Sequence, residues 1–214
     1  MFYYFGFGSN MSMLSLRAKG VEPRASTKAV LHGWQLRFNV QHFFRHEGGV
    51  GNIENTGHPD DRVLGVLHEC PDEALSLLDQ AEAYGHGYNR IEIEVEPDNP
   101  SAAMAPKVSA LTYVGMPQFI DNDCRPSRRY LNIVLEGGRQ AGLDGKYLES
   151  LANQPFINLM STQRSRHHPE TTQHLTGRCW QNSRCTQPST GPCLICPRRG
   201  LCTTSSKAFL EAGT

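Results

Sequence analysis

Six short runs rich in aromatic and β-branched residues occupy the first 115 positions, at 2–7, 29–40, 50–55, 62–70, 88–96 and 107–114, each bounded by Gly, Pro or Asp. Runs of this length and composition read as β-strands. Helical spacing interrupts them at 11–19 and 71–84, then takes over at 127–141 and 144–152. A doubly wound fold needs regular strand–helix alternation, and no such alternation or fixed repeat is present. The pattern predicts an α+β fold, a small mixed barrel-like sheet with flanking helices.

At roughly 150 residues per domain, 214 residues make one domain with an appendage rather than two catalytic domains. The cysteines mark the division. Cys70 and Cys124 are the only two before residue 179, whereas Cys179, Cys185, Cys193, Cys196 and Cys202 crowd the end. Beyond residue 160 apolar residues are too sparse to close a core unaided. The expected boundary is near 160, giving a body at 1–160 and an irregular Cys-rich tail at 161–214. Lys plus Arg and Asp plus Glu both number 21, so the surface carries no net basic field and nucleic acid is not the default partner of the body. No apolar stretch approaches the roughly 18 residues of a spanning helix, and the first basic residue is Arg17, too late for a secretory n-region. The expectation is a cytoplasmic protein without a membrane partner. Nothing in the sequence bears on oligomeric state.

Two features of the body carry chemistry. The first strand ends at Gly8-Ser9-Asn10 and a helix follows, a place where free backbone amides can hold an anion or a developing oxyanion. Small polar residues there also serve simply as caps. The second feature is Glu82. On a helix over 71–84, a 100° projection puts Ala74, Leu75, Leu77, Leu78 and Ala81 on one arc with Glu82 inside it. Burial would disfavour the charged form and raise its pKa, making it an acid/base near neutrality. If the helix stops before residue 82, as Tyr84-Gly85-His86-Gly87 allows, the carboxyl reaches solvent instead.

Other constellations are missing: the chain has no P-loop, no Gly-x-Ser-x-Gly elbow and no His-Glu-x-x-His helix. His32, His42, His46, His58, His68 and His86 share no ligand spacing and read as surface or loop residues.

Four motifs, in order, resemble the γ-glutamylcyclotransferase family. Tyr4-Phe5-Gly6-Phe7-Gly8-Ser9-Asn10-Met11 is similar to its Tyr-Phe-x-Tyr-Gly-Ser-Asn-Leu/Met signature, and Leu78-Asp79-Gln80-Ala81-Glu82 to its Leu-Asp-x-x-Glu. Gly87-Tyr88 matches a Gly-x-Tyr neighbourhood, and Pro126-Ser127-Arg128-Arg129-Tyr130, with Gly137, Gly142-Leu143 and Tyr147-Leu148, matches a Pro-Ser-x-x-Tyr helix and its partner. The resemblance covers residues 2 to about 152 and implies the small α+β barrel of that superfamily. It implies Glu82 as catalytic acid/base, and Tyr4, Phe5, Gly6, Phe7, Gly8, Ser9, Asn10, Tyr88 and Tyr130 as substrate-binding residues. The implied activity is a lyase-type cyclisation, without a cofactor, of the γ-glutamyl part of a small-molecule amide to 5-oxoproline, as in glutathione metabolism. Phe7 departs from the family's tyrosine and bears on which leaving group is accepted. A non-catalytic binding or regulatory module is the alternative.

In the tail, Cys185, Cys193, Cys196 and Cys202 follow C-x7-C-x2-C-x5-C. This is similar to the iron–sulfur loop of the endonuclease III family of DNA glycosylases, with one extra residue and none of that enzyme's body. Dense cysteines in a cytoplasmic chain bind metal more often than they form disulfides. An iron–sulfur cluster or zinc is one reading and an unliganded extension the other. Arg164, Arg166, Arg178, Arg184, Arg198 and Arg199 make the tail locally basic and leave room for a nucleic-acid contact.

Overall fold

A computed structural model of the chain describes residues 1–41, 48–98 and 105–157. Five strands close into a barrel in the order β1 (Phe2–Gly6), β5 (Arg62–Cys70), β2 (Ala25–His32), β6 (Tyr88–Pro97) and β7 (Val108–Gly115). The seam is made by β1, antiparallel to β5 and parallel to β7 through Tyr4 and Leu111. A separate antiparallel pair, β3 (Trp34–Gln41) and β4 (Gly49–Asn55), lies outside the barrel ladder. The expected α+β barrel-like architecture is present.

One expected strand is two. The run 29–40 breaks at Gly33, whose φ of +77° is a left-handed conformation that suits glycine and ends the ladder. The chain before Gly33 stays in the barrel as β2, and the chain after it leaves as β3.

Strand β5 shows why the interior holds. With β1 and β2 on its flanks and both faces covered, its side chains alternate between two cores instead of between core and water. Val63 and Leu67 join Phe5, Ala29, Leu31, Ile93 and Val95 inside the barrel. Leu64 and Val66 face a second core with Leu131, Val134, Leu135 and Leu148. Gly65 has no room for a side chain, because a Cβ there would stand 2.7 Å from the Phe5 ring.

The helices are shorter than their patterns. Residues 11–19 divide into a 3-10 turn at Ser9–Met11 and α1 at Met13–Ala18, separated by the extended Ser12. The 71–84 pattern yields α2 at Ala74–Ala81, with Glu82 as its C-cap and Ala83 at φ +49°. After β7, α3 (Arg128–Gln140) begins on Ser127, whose hydroxyl accepts the Tyr130 amide at 3.0 Å. Asp144 caps α4 (Gly145–Ala152) in the same manner. Gly137 lets α3 press against the 3-10 turn, since a Cβ there would lie 3.1 Å from the Ser12 nitrogen. Among the described residues no helix is long and apolar enough to cross a membrane.

Candidate active site

The turn after β1, the end of α2 and the first turn of α3 converge on one place. An inner recess of about 40 Å³ is lined by Tyr4, Phe7, Gly8, Ser9, Asn10, Gly51, Glu82, Tyr88, Tyr113 and Tyr130. Four of these, Ser9, Glu82, Tyr88 and Tyr130, also line an outer cavity of about 310 Å³ walled by Val40, Val50, Ala81, Ala83 and Phe119.

Glu82 reaches this place by a route that helical projection misses. It lies beyond the last turn of α2, and the left-handed Ala83 turns the chain away immediately after it. Its side chain is nevertheless only 16% exposed. The apolar surroundings expected for it are replaced by polar partners. Oε1 accepts from Asn10 Nδ2 at 2.9 Å and from Lys19 Nζ at 2.9 Å, while Oε2 accepts nothing among the described residues.

Asn10 links the carboxyl to the turn. Its Nδ2 also donates to the Tyr4 hydroxyl at 2.6 Å, and its Oδ1 accepts from Lys19 Nζ at 2.6 Å. The backbone oxygen of Asn10 is held 3.0 Å from His68 Nε2. Contrary to the surface reading of the histidines, His68 is fully buried in β5, with Nδ1 2.8 Å from the Ser26 hydroxyl. Burial pulls its pKa down to about 4, against which the bond to the Asn10 carbonyl acts more weakly. At neutral pH the ring is uncharged, so it donates one N–H to Asn10 and accepts the Ser26 hydroxyl.

The tyrosines are ordered by a glycine. Gly51 N–H donates to the Tyr130 hydroxyl at 3.0 Å, and the Gly51 carbonyl accepts the Tyr88 hydroxyl at 2.8 Å. A Cβ on Gly51 or Gly8 would stand 3.0 or 3.1 Å from the Tyr130 oxygen, so a side chain at either position would press on that phenol. Burial pushes Tyr130 up to about 12, opposed by hydrogen bonds from Gly51 and Ser9, and raises Tyr88 and Tyr4 well above the ordinary phenol value. All three remain protonated at neutral pH. Behind them Asp79 fastens α2 to the barrel, taking Arg90 through both carboxylate oxygens at 2.8 and 2.6 Å and the Tyr113 hydroxyl at 2.7 Å.

Of the residues singled out in the sequence, Tyr4, Phe7, Gly8, Ser9, Asn10, Glu82, Tyr88 and Tyr130 come together here. Phe5 and Gly6 do not line the cavity. The Phe5 ring fills the barrel core, and Gly6 gives up its side chain to the turn, where a Cβ would meet the Asn10 oxygen at 2.9 Å. Lys19, Gly51, His68 and Tyr113 are site residues that the motifs omit. Gly51 alone carried a local sign, a glycine inside a strand. The cysteines expected to hold a metal, Cys185, Cys193, Cys196 and Cys202, lie outside the described residues, as does the boundary near 160. Among the described residues no three His, Cys, Asp or Glu side chains gather as a metal site.

A closed five-stranded barrel whose first turn faces a carboxyl and three buried phenols is a γ-glutamylcyclotransferase-like architecture. Residues 62–151 match the AIG2-like family. The γ-glutamyl cyclotransferase aclK of Aspergillus oryzae is 24% identical over 163 residues, which cover 70% of this chain and 59% of that protein. The γ-glutamylcyclotransferase of Mus musculus is 28% identical over 154 residues, 70% of this chain and 77% of its own. A solved γ-glutamyl cyclotransferase structure superposes with a TM-score of 0.63 at 24% identity, over 73% of this chain and 89% of that one. Together these matches support a γ-glutamylcyclotransferase-like family for the chain.

Proposed function

We propose that the chain cyclises the γ-glutamyl group of an amino-acid or amine conjugate to 5-oxoproline and releases the free amine. The observation that carries this reading is that Glu82, with one carboxylate oxygen uncommitted among the described residues, shares a cavity with the Gly8-Ser9-Asn10 turn. In a γ-glutamyl compound the α-amine and the γ-carbonyl belong to one molecule. Ring closure therefore needs positioning rather than an enzyme nucleophile, and the intramolecular advantage reaches on the order of 10⁵ M in good cases.

Glu82 takes a proton from the α-ammonium, and the freed amine attacks the γ-carbonyl carbon. Turn amides stabilise the oxyanion that forms. As the carbonyl re-forms, the old amide C–N bond breaks, Glu82 returns the proton to the leaving nitrogen, and the surplus proton of the ring nitrogen passes to the released amine, which departs as an ammonium. Tyr130, kept protonated by burial and accepting the Gly51 N–H, orients the substrate as a donor, while Tyr88, whose O–H goes to the Gly51 carbonyl, offers its oxygen as an acceptor. The apolar wall of the outer cavity favours a leaving group with an apolar side chain.

The test is to incubate the full chain with a panel of γ-glutamyl amino acids and amines, apolar and charged, and follow 5-oxoproline. Product from the wild type and none from Glu82→Gln supports the reading. Binding of the panel without any turnover would instead establish a binding module.

A further inference from the structure

We infer that Lys19 is a positioning residue for Glu82, fixing which oxygen of the carboxylate meets the substrate; the inference rests on the acid/base role proposed above.

Lys19 is the C-cap of α1, far from Glu82 in sequence, and its side chain is 25% exposed against 16% for its partner. Its ammonium makes two short bonds, 2.9 Å to Glu82 Oε1 and 2.6 Å to Asn10 Oδ1. A carboxylate has two chemically equivalent oxygens, each able to accept more than one hydrogen bond. With no partners it turns about its terminal torsion and presents either oxygen. Here both donors, Lys19 and the Asn10 amide, grip Oε1, so Oε2 becomes the oxygen that exchanges protons. Lys19 also decides the direction of the Asn10 amide. Because an ammonium can only donate, the atom facing it must be the amide oxygen, which turns Nδ2 toward Glu82 and the Tyr4 hydroxyl. One cation thereby sets the orientation of both groups.

A purely stabilising surface pair would bridge two exposed side chains and be worth about 0–1 kcal/mol. Lys19 differs in being mostly covered and in lining the outer cavity together with the carboxylate it holds. Its described bonds are to Oε1 and to Asn10, so it acts through Glu82 rather than as the group that exchanges protons.

The experiment compares full-length wild type, Lys19→Met and Lys19→Arg with a γ-glutamyl substrate that the wild type turns over. Misplacement of a catalytic group by about 1 Å costs on the order of 100-fold, so Lys19→Met is expected to lose 10- to 100-fold in kcat with KM changed far less. Lys19→Arg, which still donates to both acceptors, should recover most of the rate. Thermal melts of all three separate this from loss of folding. Lys19→Met with wild-type kcat, or Lys19→Arg folded and no better than Lys19→Met, overturns the inference. If the wild type forms no 5-oxoproline at all, the proposed function fails and the positioning is read from crystal structures: a Glu82 carboxyl that rotates in Lys19→Met upholds it, and one that stays in place refutes it.

Discussion

The cavity between β3 and α4, about 680 Å³, exceeds the site cavity of about 310 Å³, and its walls carry Arg37, Glu54, Asp60, Asp61, Arg62 and Arg125. Its ion pair Arg37–Glu54 spans 3.4 Å with both partners more than a third exposed. In the smaller cavity the pair Lys19–Glu82 is mostly covered, and the groups around it are bound to one another through Asn10 and Gly51. Both cavities carry hydrogen-bonded side chains, Asn39 on Glu54 and Gln35 on Asp61 in the large groove, but there water screens the ion pair, whereas in the small one the ion pair is covered and coupled to the turn. The proposed chemistry sits where polar atoms converge under cover, not in the larger of these two cavities.

The strongest way to break this contrast is at Glu82. Glu82→Gln should reduce kcat by about 100-fold or more, the range lost with a general acid/base, yet melt near the wild-type temperature because its amide oxygen can still accept from Lys19 and Asn10. A folded variant with unreduced turnover would place the reaction elsewhere.

His68 supplies the next effect. Its folded pKa, about 4, lies below the ordinary 6.5, so from pH 6.5 down to 4 the unfolded chain binds a proton that the folded chain refuses. Stability should therefore fall with pH through that window by up to about 3 kcal/mol. Urea denaturation of wild type and His68→Gln across it measures the effect. The variant should lose most of that slope, and identical slopes would contradict the assignment.

A smaller loss is expected from Tyr88→Phe, which leaves the Gly51 carbonyl without its donor. About 1–2 kcal/mol should appear in urea melts, with weaker use of substrate. Arg37→Ala in the large groove should have the smallest effect, under about 1 kcal/mol in stability with turnover unchanged. A catalytic defect there would erase the distinction between the two cavities.

Much of the site was legible because its motifs are local. Gly8-Ser9-Asn10 announces itself by following a strand, and Ser127 with Tyr130 is a capping pair whose second member enters the cavity. The inward direction of Glu82 is expected from the sequence for an incomplete reason. The projection required a helix through residue 82, and α2 ends at Ala81, so the inward direction comes from the cap and the left-handed Ala83. The strand at 29–40 misled because alternation continues across Gly33 while the backbone does not. Lys19, Gly51 and His68 stayed hidden because their neighbours are made by closure of the sheet and by packing of α1 and β4 against it. No window of adjacent residues contains that information.

The parallel seam between Tyr4 and Leu111, and the bond from Gly51 to Tyr130, give the chain a schedule. On the ribosome the turn at Gly8-Ser9-Asn10 emerges well ahead of the phenol that fills its neighbourhood, which is made more than a hundred residues later. Any truncation that stops translation before Tyr130 leaves that early turn unfinished, so completion of the candidate site waits on α3.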